Sequence, residues 1–364
     1  MDEKQKKKYI LQIIRLSSLI FLFCISIIFT SSFSANIKKV LYKMDIKAST
    51  DDLVVHYINV GQGDAIALKF ANDKIMLIDS GPKSAQNDLI KYIKDNVLKG
   101  NNDLVIDYVI LTHSDIDHSG GMSGVFVEFD VKTFFRPNIA SESENVEDFA
   151  KRSTLDEYEE VIKNSKEEKG LITNIINQEF EFNIDKAVVQ IFPPLQVYST
   201  TNSMSPIVKV SYLDKSFLFT GDIQEDAEKD MLNYYGKKLN ADVLKVAHHG
   251  SKTSTSNDFV EAVNPQYAII SVGENTYGHP HFETVSMLQD FNAKVLLTSE
   301  GSIVFVCGSE MFGVLDSSKI HSSEFLNWWI IALTINIGLI YYLMKSIIKF
   351  ITSSKKSLNK QFDI

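Results

Sequence analysis

The chain has 364 residues, 45% of them hydrophobic, and a formal net charge of −9, enough for one large core or two modest ones with sequence left over for apolar segments. Residues 1–15 carry five positive and two negative charges, and residues 345–364 five and one, so the body between them carries −16. That balance excludes the broad basic stripe of a protein that grips polyanions along its surface, and the two cysteines, Cys24 in an apolar run and Cys307 in a predicted late strand, predict no intramolecular disulfide.

In chain order, the basic head (Lys4, Lys6, Lys7, Lys8, Arg15) leads into residues 16–37, which are uncharged. This run is either a signal peptide, with Ser32, Ser34 and Ala35 as a cleavage site, or an anchor helix; its length favours the anchor. Residues 38–52 form a polar stalk, and a domain is expected over 53–315. Runs rich in strand formers at Leu53–Val60, Ala65–Phe70 and Lys74–Ile78 precede a helix near Asn87–Leu98 and a strand at Val105–Leu111. Residues 138–186 read as a partly helical insertion, because Glu142–Lys169 places Glu and Lys at helical spacing with few large apolar residues.

The second half repeats the style. Strands are expected at Val188–Phe192, Ile207–Leu213, Phe217–Thr220, Val243–Ala247, Tyr267–Val272, Lys294–Thr298 and Ser302–Val306. Helices are expected at Gln224–Tyr235, Thr255–Val263 and Pro280–Phe291. Two β-rich halves, each covered by helices, imply an α/β fold of the αββα sandwich type. After a linker at 316–324, Phe325–Met344 is uncharged with aromatics near both ends, the pattern of a transmembrane helix, and 345–364 is a basic tail. Basic outer ends on both apolar runs predict cytoplasmic termini and a domain outside the cell membrane.

The chemistry concentrates in a few strings. His113-Ser-Asp115-Ile-Asp117-His118 follows a strand and precedes Ser119-Gly-Gly121, so four metal-ligand side chains share one loop with a tight turn behind it. Phe217-Leu-Phe-Thr-Gly-Asp222 ends a strand on a carboxylate, and Val243-Leu-Lys-Val-Ala-His248-His249-Gly-Ser251 ends another on paired histidines. Six of the eight histidines fall in the strings around 113–118, 248–249 and 279–281, a concentration that packing alone does not produce. Asp64 and Asp79 end early strands and are expected to hydrogen-bond ligand histidines. Gly61 and Gly63 read as turn geometry. His56 and His321 are assigned no role.

These strings, together with Asn59-Val-Gly-Gln-Gly-Asp64, Leu77-Ile-Asp79-Ser-Gly81, Asn202-Ser-Met-Ser205 and Tyr277-Gly-His279-Pro280, resemble the ComEC-type branch of the metallo-β-lactamase superfamily over about 53–306. The resemblance implies two divalent metal ions, one held by His113, Asp115 and Asp222, the other by Asp117, His118, Asp222 and His248, with Asp222 bridging. Most of the superfamily carries His where this chain has Asp115, so the oxygen-richer first site admits Mn²⁺ beside Zn²⁺. Such a pair lowers the pKa of a water and neutralises an anionic substrate, which suits phosphoester hydrolysis.

Asp117 and His279 are the expected catalytic residues, Asp117 to orient the nucleophile and His279 to contact substrate or protonate the leaving group. Asn202, His249 and Ser251 are the expected substrate contacts, with His249 equally suited to supporting a ligand from behind. The leading expectation is a membrane-attached, outward-facing phosphodiesterase or nuclease acting on an anionic phosphoester, DNA being the polymer the family suggests, beside a separate channel protein as a partner. A hydrolase of teichoic-acid-type envelope phosphoesters, or an idle metal-stabilised binding module, are the alternatives.

Overall fold

A computed structural model of the chain describes residues 51–99, 103–137, 160–161, 163–165, 170–309, 311–315 and 345. The two apolar runs, the stalk and linker, and most of the charged segment at 142–169 lie outside the described residues. Among the described residues no helix is long and apolar enough to cross a membrane. One compact unit spans Ala48–Ser318.

Its strands are β1 (Leu53–Tyr57), β2 (Ile66–Lys69), β3 (Ile75–Ile78), β4 (Val105–Ile110), β5 (Asp130–Arg136), β6 (Ile172–Ile175), β7 (Phe180–Ile184), β8 (Ala187–Phe192), β9 (Ile207–Tyr212), β10 (Lys215–Phe219), β11 (Val243–Lys245), β12 (Tyr267–Ile270), β13 (Lys294–Leu297), β14 (Ile303–Cys307) and β15 (Phe312–Leu315). They form two sheets, ordered β15-β14-β1-β2-β3-β4-β5-β6 and β13-β12-β11-β10-β9-β8-β7. The pairings from β3 to β6 are parallel in the first sheet, as are those from β10 to β13 in the second. The insertion expected over 138–186 therefore needs correcting: its later part contributes β6 and β7, one to each sheet. Phe180, Phe182 and Ile184 alternate with Glu181 and Asn183 there, a half-buried strand pattern of period two.

The inner faces of the two sheets share one apolar core. Alternate residues Leu53, Val55 and Tyr57 of β1 meet Val208, Val210, Phe217 and Phe219 of the other sheet. Phe217 and Phe305 stand edge to face at 5.5 Å between centroids, and truncating such a buried ring costs about 3–5 kcal/mol. Cys307 is a free, buried thiol within this core.

The outer face of the first sheet is covered by α1 (Gln86–Tyr92) and α3 (Met122–Glu128), with the one-turn α2 (Ile116–Ser119) between them in sequence. The second sheet carries α4 (Glu225–Tyr235), α5 (Asn257–Val263) and α6 (Phe282–Asp290). Ala227, Met231 and Tyr235 recur every four residues on the buried stripe of α4, and Glu225, Asp226 and Glu228 favour its N-terminal dipole end. Ser256 caps α5 by accepting from the Phe259 N–H, and Asn264 ends it in the left-handed region. Helix, sheet, sheet, helix is thus the layer order the sequence implies.

His56 lies on the outer face of β1, buried, with Nδ1 3.2 Å from the Tyr92 hydroxyl. Burial, with Lys69 nearby, pushes its pKa down to about 4, so it packs as a neutral ring.

Candidate metal centre

The carboxyl ends of β3, β4, β10, β11 and β12 each run into a segment that supplies polar side chains to one site, the usual place for function in sheets with parallel strands. Beyond β3, Asp79 adopts a left-handed backbone (φ 56). Its Oδ1 accepts from the Thr112 N–H (2.8 Å) and its Oδ2 from the Thr112 hydroxyl (2.7 Å). The same Oδ2 lies 2.7 Å from Nδ1 of His118. Asp79 therefore holds His118 with Nδ1 protonated and Nε2 turned to the site, the support from behind expected of a carboxylate beside a ligand imidazole.

Beyond β4, the loop 113–118 is packed against the Gly61–Gly63 turn. Asp64 N–H donates to the Asp117 carbonyl (3.1 Å), and a Cβ on Gly63 would stand 2.3 Å from that carbonyl oxygen. The glycine-rich turn is a platform under the metal loop, and Asn59 serves it by accepting the Gly61 N–H through Oδ1 at 3.0 Å. His113 is fully buried, its Nδ1 3.1 Å from Thr112 Oγ1 and 3.2 Å from Ser205 Oγ. Asp115 is partly exposed; its Oδ1 accepts from Thr201 Oγ1 (2.8 Å), and its Oδ2 is 3.9 Å from His113 Nε2.

The second half supplies Asp222 after β10, where Gly221 (φ 52) packs so closely on Ser205 and Thr112 that a Cβ would come within 2.8 Å of Ser205 Cβ. Asp222 Oδ2 is 3.2 Å from His118 Nε2 and 3.2 Å from His249 Nε2. His249, not the expected His248, completes this cluster: Asp117 Oδ2 is also 3.2 Å from its Nε2, and its Nδ1 is 2.8 Å from the Ser271 carbonyl beyond β12. Both histidines have left-handed backbones (φ 50 and 53), so the chain curls and the two rings diverge. His248 turns to the mouth, with Nε2 3.1 Å from Asn202 Nδ2 and Nδ1 3.4 Å from Thr253 Oγ1.

Ser251 also departs from expectation. It is buried, its hydroxyl lies 3.0 Å from Thr253 Oγ1 within its own turn, and its carbonyl accepts from Thr284, contacts that shape the loop. His279 stands at the mouth, its ring 5.4 Å from that of His248 and stacked at 5.7 Å on the exposed Tyr277. Asn275 fixes its backbone by accepting the His279 N–H at 3.1 Å and donating to its carbonyl at 2.8 Å. Burial and then the neighbouring imidazoles lower its pKa to about 4, so the neutral ring is the form available near neutral pH.

Two residues to which the sequence reading assigns no role prove central. Thr112 bridges Asp79 to both first-half histidines. Lys245, fully buried, donates to the Gly221 carbonyl (2.9 Å), lies 3.4 Å from Asp222 Oδ1, and makes a short ion pair with Asp64 Oδ2. The signal for Lys245 was a lone charge inside the apolar run Val243–Ala247, where a buried parallel strand tolerates a cation only with partners.

The electrostatics ask for positive charge. Burial opposes ionisation of every group here, yet Asp222 and its neighbouring carboxylates push His249 up to about 10 and His118 well above the usual imidazole range. The imidazoles in turn hold Asp117 and Asp222 low against the effect of burial. His113 is lowered, by burial first and then by His118. Nε2 of His113 is buried without a hydrogen-bond partner, and Nε2 of His118 faces Asp222 Oδ2 at 3.2 Å. Without a metal His118 and His249 meet Asp222 as protonated rings; a divalent ion would displace those protons, and imidazole nitrogens beside carboxylates are the donor set it needs. Among the described residues three groups, all sharing His118, are tight enough to hold one: His113 with His118 and Asp222, Asp117 with His118 and His249, and Asp64 with Asp79 and His118.

Comparison with known proteins bears on the same residues. A family model described as the metallo-beta-lactamase superfamily matches residues 58–274. ComE operon protein 3 of Bacillus subtilis is 27% identical over 269 residues, covering 69% of this chain and 32% of that protein. Recombination protein 2 of Haemophilus influenzae is 28% identical over 247 residues, covering 66% and 27%. The chain thus spans about a third or less of the length of these curated relatives. Among solved structures, the metallo-beta-lactamase fold protein YhfI from Bacillus subtilis aligns with a TM-score of 0.44 and 11% identity, over 71% of this chain and 100% of that one.

Proposed function

The chain belongs to the metallo-β-lactamase superfamily, in its ComEC-type branch, and from that premise we propose that it is a dinuclear metal-dependent phosphodiesterase with DNA as its candidate polymer. The observation that supports this reading is the convergence of His113, His118 and Asp222 within ligand distance of one another, with His249 and Asp117 beside them and His113 Nε2 buried without a partner. His113, Asp115 and Asp222 would hold one ion; Asp117, His118, Asp222 and His249 the other. When bound, the pair, Zn²⁺ or Mn²⁺, supplies a water of lowered pKa and neutralises phosphoryl charge.

The chain's own residues then divide the work. Asp79 and the Ser271 carbonyl fix the tautomers of His118 and His249, so that Nε2 of each faces the site. Asp117, with Oδ2 3.2 Å from His249 Nε2, keeps a carboxylate beside the reacting centre to orient the nucleophile. His279 and Asn202 line the mouth, where a neutral imidazole N–H and an amide N–H suit a phosphoryl oxygen. Local metal charge and these donors replace the basic surface that a body of −16 lacks. The uncharged runs 16–37 and 325–344 would attach this domain to a membrane with the domain outside, beside a separate channel protein.

The test is turnover by the purified full-length chain, chelator-stripped and reloaded with Mn²⁺ or Zn²⁺. Substrates are single- and double-stranded DNA, bis-p-nitrophenyl phosphate and a glycerol-phosphate polymer. Metal-dependent cleavage of DNA and of the nitrophenyl diester is expected. Cleavage of the glycerol-phosphate polymer alone would move the substrate to the cell envelope, and metal binding without any turnover would make the chain a binding module.

A further inference from the structure

Lys245 has no place in the ligand set, yet it is as buried as any residue of the core. It sits on β11 between Leu244 and Val246, both apolar, and its partners are all at the floor of the site: the Gly221 carbonyl at 2.9 Å, Asp222 Oδ1 at 3.4 Å and, closest, Asp64 Oδ2. A lysine is rarely sunk this far without a compensating role.

The carboxylates explain what it balances. Asp64, Asp79, Asp117 and Asp222 crowd around His113, His118 and His249, and among the described residues three overlapping groupings, all including His118, are tight enough for a cation. One of the three, Asp64 with Asp79 and His118, lies on the floor behind the other two. His118 Nδ1 is already directed at Asp79 there (2.7 Å) and lies 3.8 Å from Asp64 Oδ2. The Asp64 oxygen that would serve a metal in that corner is the one paired with the Lys245 ammonium. The two oxygens of Asp222 are also divided, Oδ1 toward Lys245 and Oδ2 toward His118 and His249.

We propose that Lys245 is a resident cation: its ammonium fills the acidic corner between Asp64 and Asp222, excludes a metal ion from it, and leaves Asp222 Oδ2 alone to face the histidines. Asp64 then acts as a fixed counter-charge instead of a ligand, and Lys245 is a positioning residue that sets how many ions the site takes and through which oxygen Asp222 binds them. A divalent ion and an ammonium cannot share the corner, because two cations at contact distance in a buried site repel strongly. This inference rests on the two-metal reading above.

The experiment counts metal. Full-length wild-type chain, Lys245→Met and the double variant Asp64→Asn/Lys245→Met are stripped with chelator, reloaded with excess Mn²⁺, freed of unbound ion and analysed by elemental mass spectrometry, with calorimetric titration for affinity. The wild type should hold two ions. Lys245→Met should take up about one further equivalent, and removing the Asp64 charge as well should return the count to that of the wild type.

An unchanged count and unchanged affinities in Lys245→Met, beside a wild-type count of two, would overturn the inference while leaving the metal reading intact. A wild type that binds no metal would remove both. If Lys245→Met fails to fold, the double variant decides. Recovery of fold with two ions supports a charge balance between Lys245 and Asp64, whereas a double variant no better than the single one overturns it.

Discussion

The two halves of the site reach the same cleft by different constructions. In the first, His113, Asp115, Asp117 and His118 come from one loop after β4, clamped from below by the Gly61–Gly63 turn through the Asp117 carbonyl. In the second, Asp222, His249 and Ser271 come from the ends of three neighbouring parallel strands, and left-handed residues at 221, 248 and 249 aim them. A single loop fixes its ligands by spacing. Three strand ends fix theirs by backbone hand, and non-glycine residues in that region carry strain of order 1–3 kcal/mol that the surrounding structure must hold. Asp222 joins the two halves, since one oxygen lies 3.2 Å from an imidazole of each.

The largest effect should therefore follow from Asp222. With Asp222→Ala both ions should be lost from elemental analysis of the reloaded protein. The several kcal/mol that a metal contributes to a hydrolytic transition state then corresponds to a fall in turnover of about 10³-fold or more. Retention of both metals in that variant would mean the halves are independent sites.

Next in size is the contrast between adjacent histidines. His249→Ala should lose one of the two ions and most of the activity, and His248→Ala should keep both, because only the ring of residue 249 meets Asp117 and Asp222. Metal counts on the two variants check this, and the reverse pattern would restore His248 as the ligand. That pair marks where sequence reading ran out. In the first half the single loop brings His113, Asp117 and His118 into candidate groupings as the sequence suggests, while Asp115 stays partly exposed outside them. The strands β3, β4 and β10 to β13 were legible too, because each is a short apolar stretch, whereas β5, with Asp130, Lys132 and Arg136 in it, was not.

His248 and His249 are chemically identical neighbours, and which one enters the site depends on two φ angles that no residue type announces. Ser251 was misread for the related reason that a hydroxyl after a histidine pair suits a phosphate contact and a turn equally. Lys245 was overlooked because a charge in an apolar run does not disclose its partners. The strands β6 and β7 were hidden behind the charged composition of the segment that precedes them.

His279 tests the mouth instead of the floor. Its ring lies 5.4 Å from His248 and outside every candidate metal grouping, so His279→Ala should keep both ions and the fold while phosphodiester turnover falls by roughly 10²-fold. A nitrophenyl diester, whose leaving group scarcely needs a proton, separates the two roles the residue can play. Equal losses on both substrates fit a neutral imidazole that binds the phosphoryl group, as its lowered pKa favours; a much smaller loss on the nitrophenyl diester fits proton donation. A smaller effect is expected at Asp79, which touches metal only through His118: Asp79→Asn should weaken metal affinity by about 10–100-fold without changing the ion count at saturation. Calorimetric titration reads this directly, and an unchanged affinity would reduce Asp79 to a partner of Thr112.

The smallest effect concerns what holds each half in place. The first-half loop rests on the backbone of the Gly61–Gly63 turn and on the Asp79 carboxylate behind Thr112 and His118. The second-half loop after His249 is held by Glu228, a fully buried carboxylate on α4 that accepts the N–H groups of Thr255 and Ser256, the latter at 2.9 Å. Burial dominates over those two hydrogen bonds and raises the Glu228 pKa from 4.5 to about 7. Because the folded-state value lies above the unfolded one, the protonated acid is the form the fold favours. Its contribution to stability is full below about pH 4.5 and is lost as pH rises through about 7. Relative to Glu228→Gln, which cannot titrate, the wild type should lose stability between pH 5 and 7 by at most about 1.4 kcal/mol per pH unit, and the difference should level off above. Urea unfolding of both proteins at pH 5, 6, 7 and 8, in chelator so that metal does not contribute, measures it. Parallel stability curves would show that the hydrogen bonds from Thr255 and Ser256 outweigh burial, and that the Glu228 clamp does not depend on pH over this range.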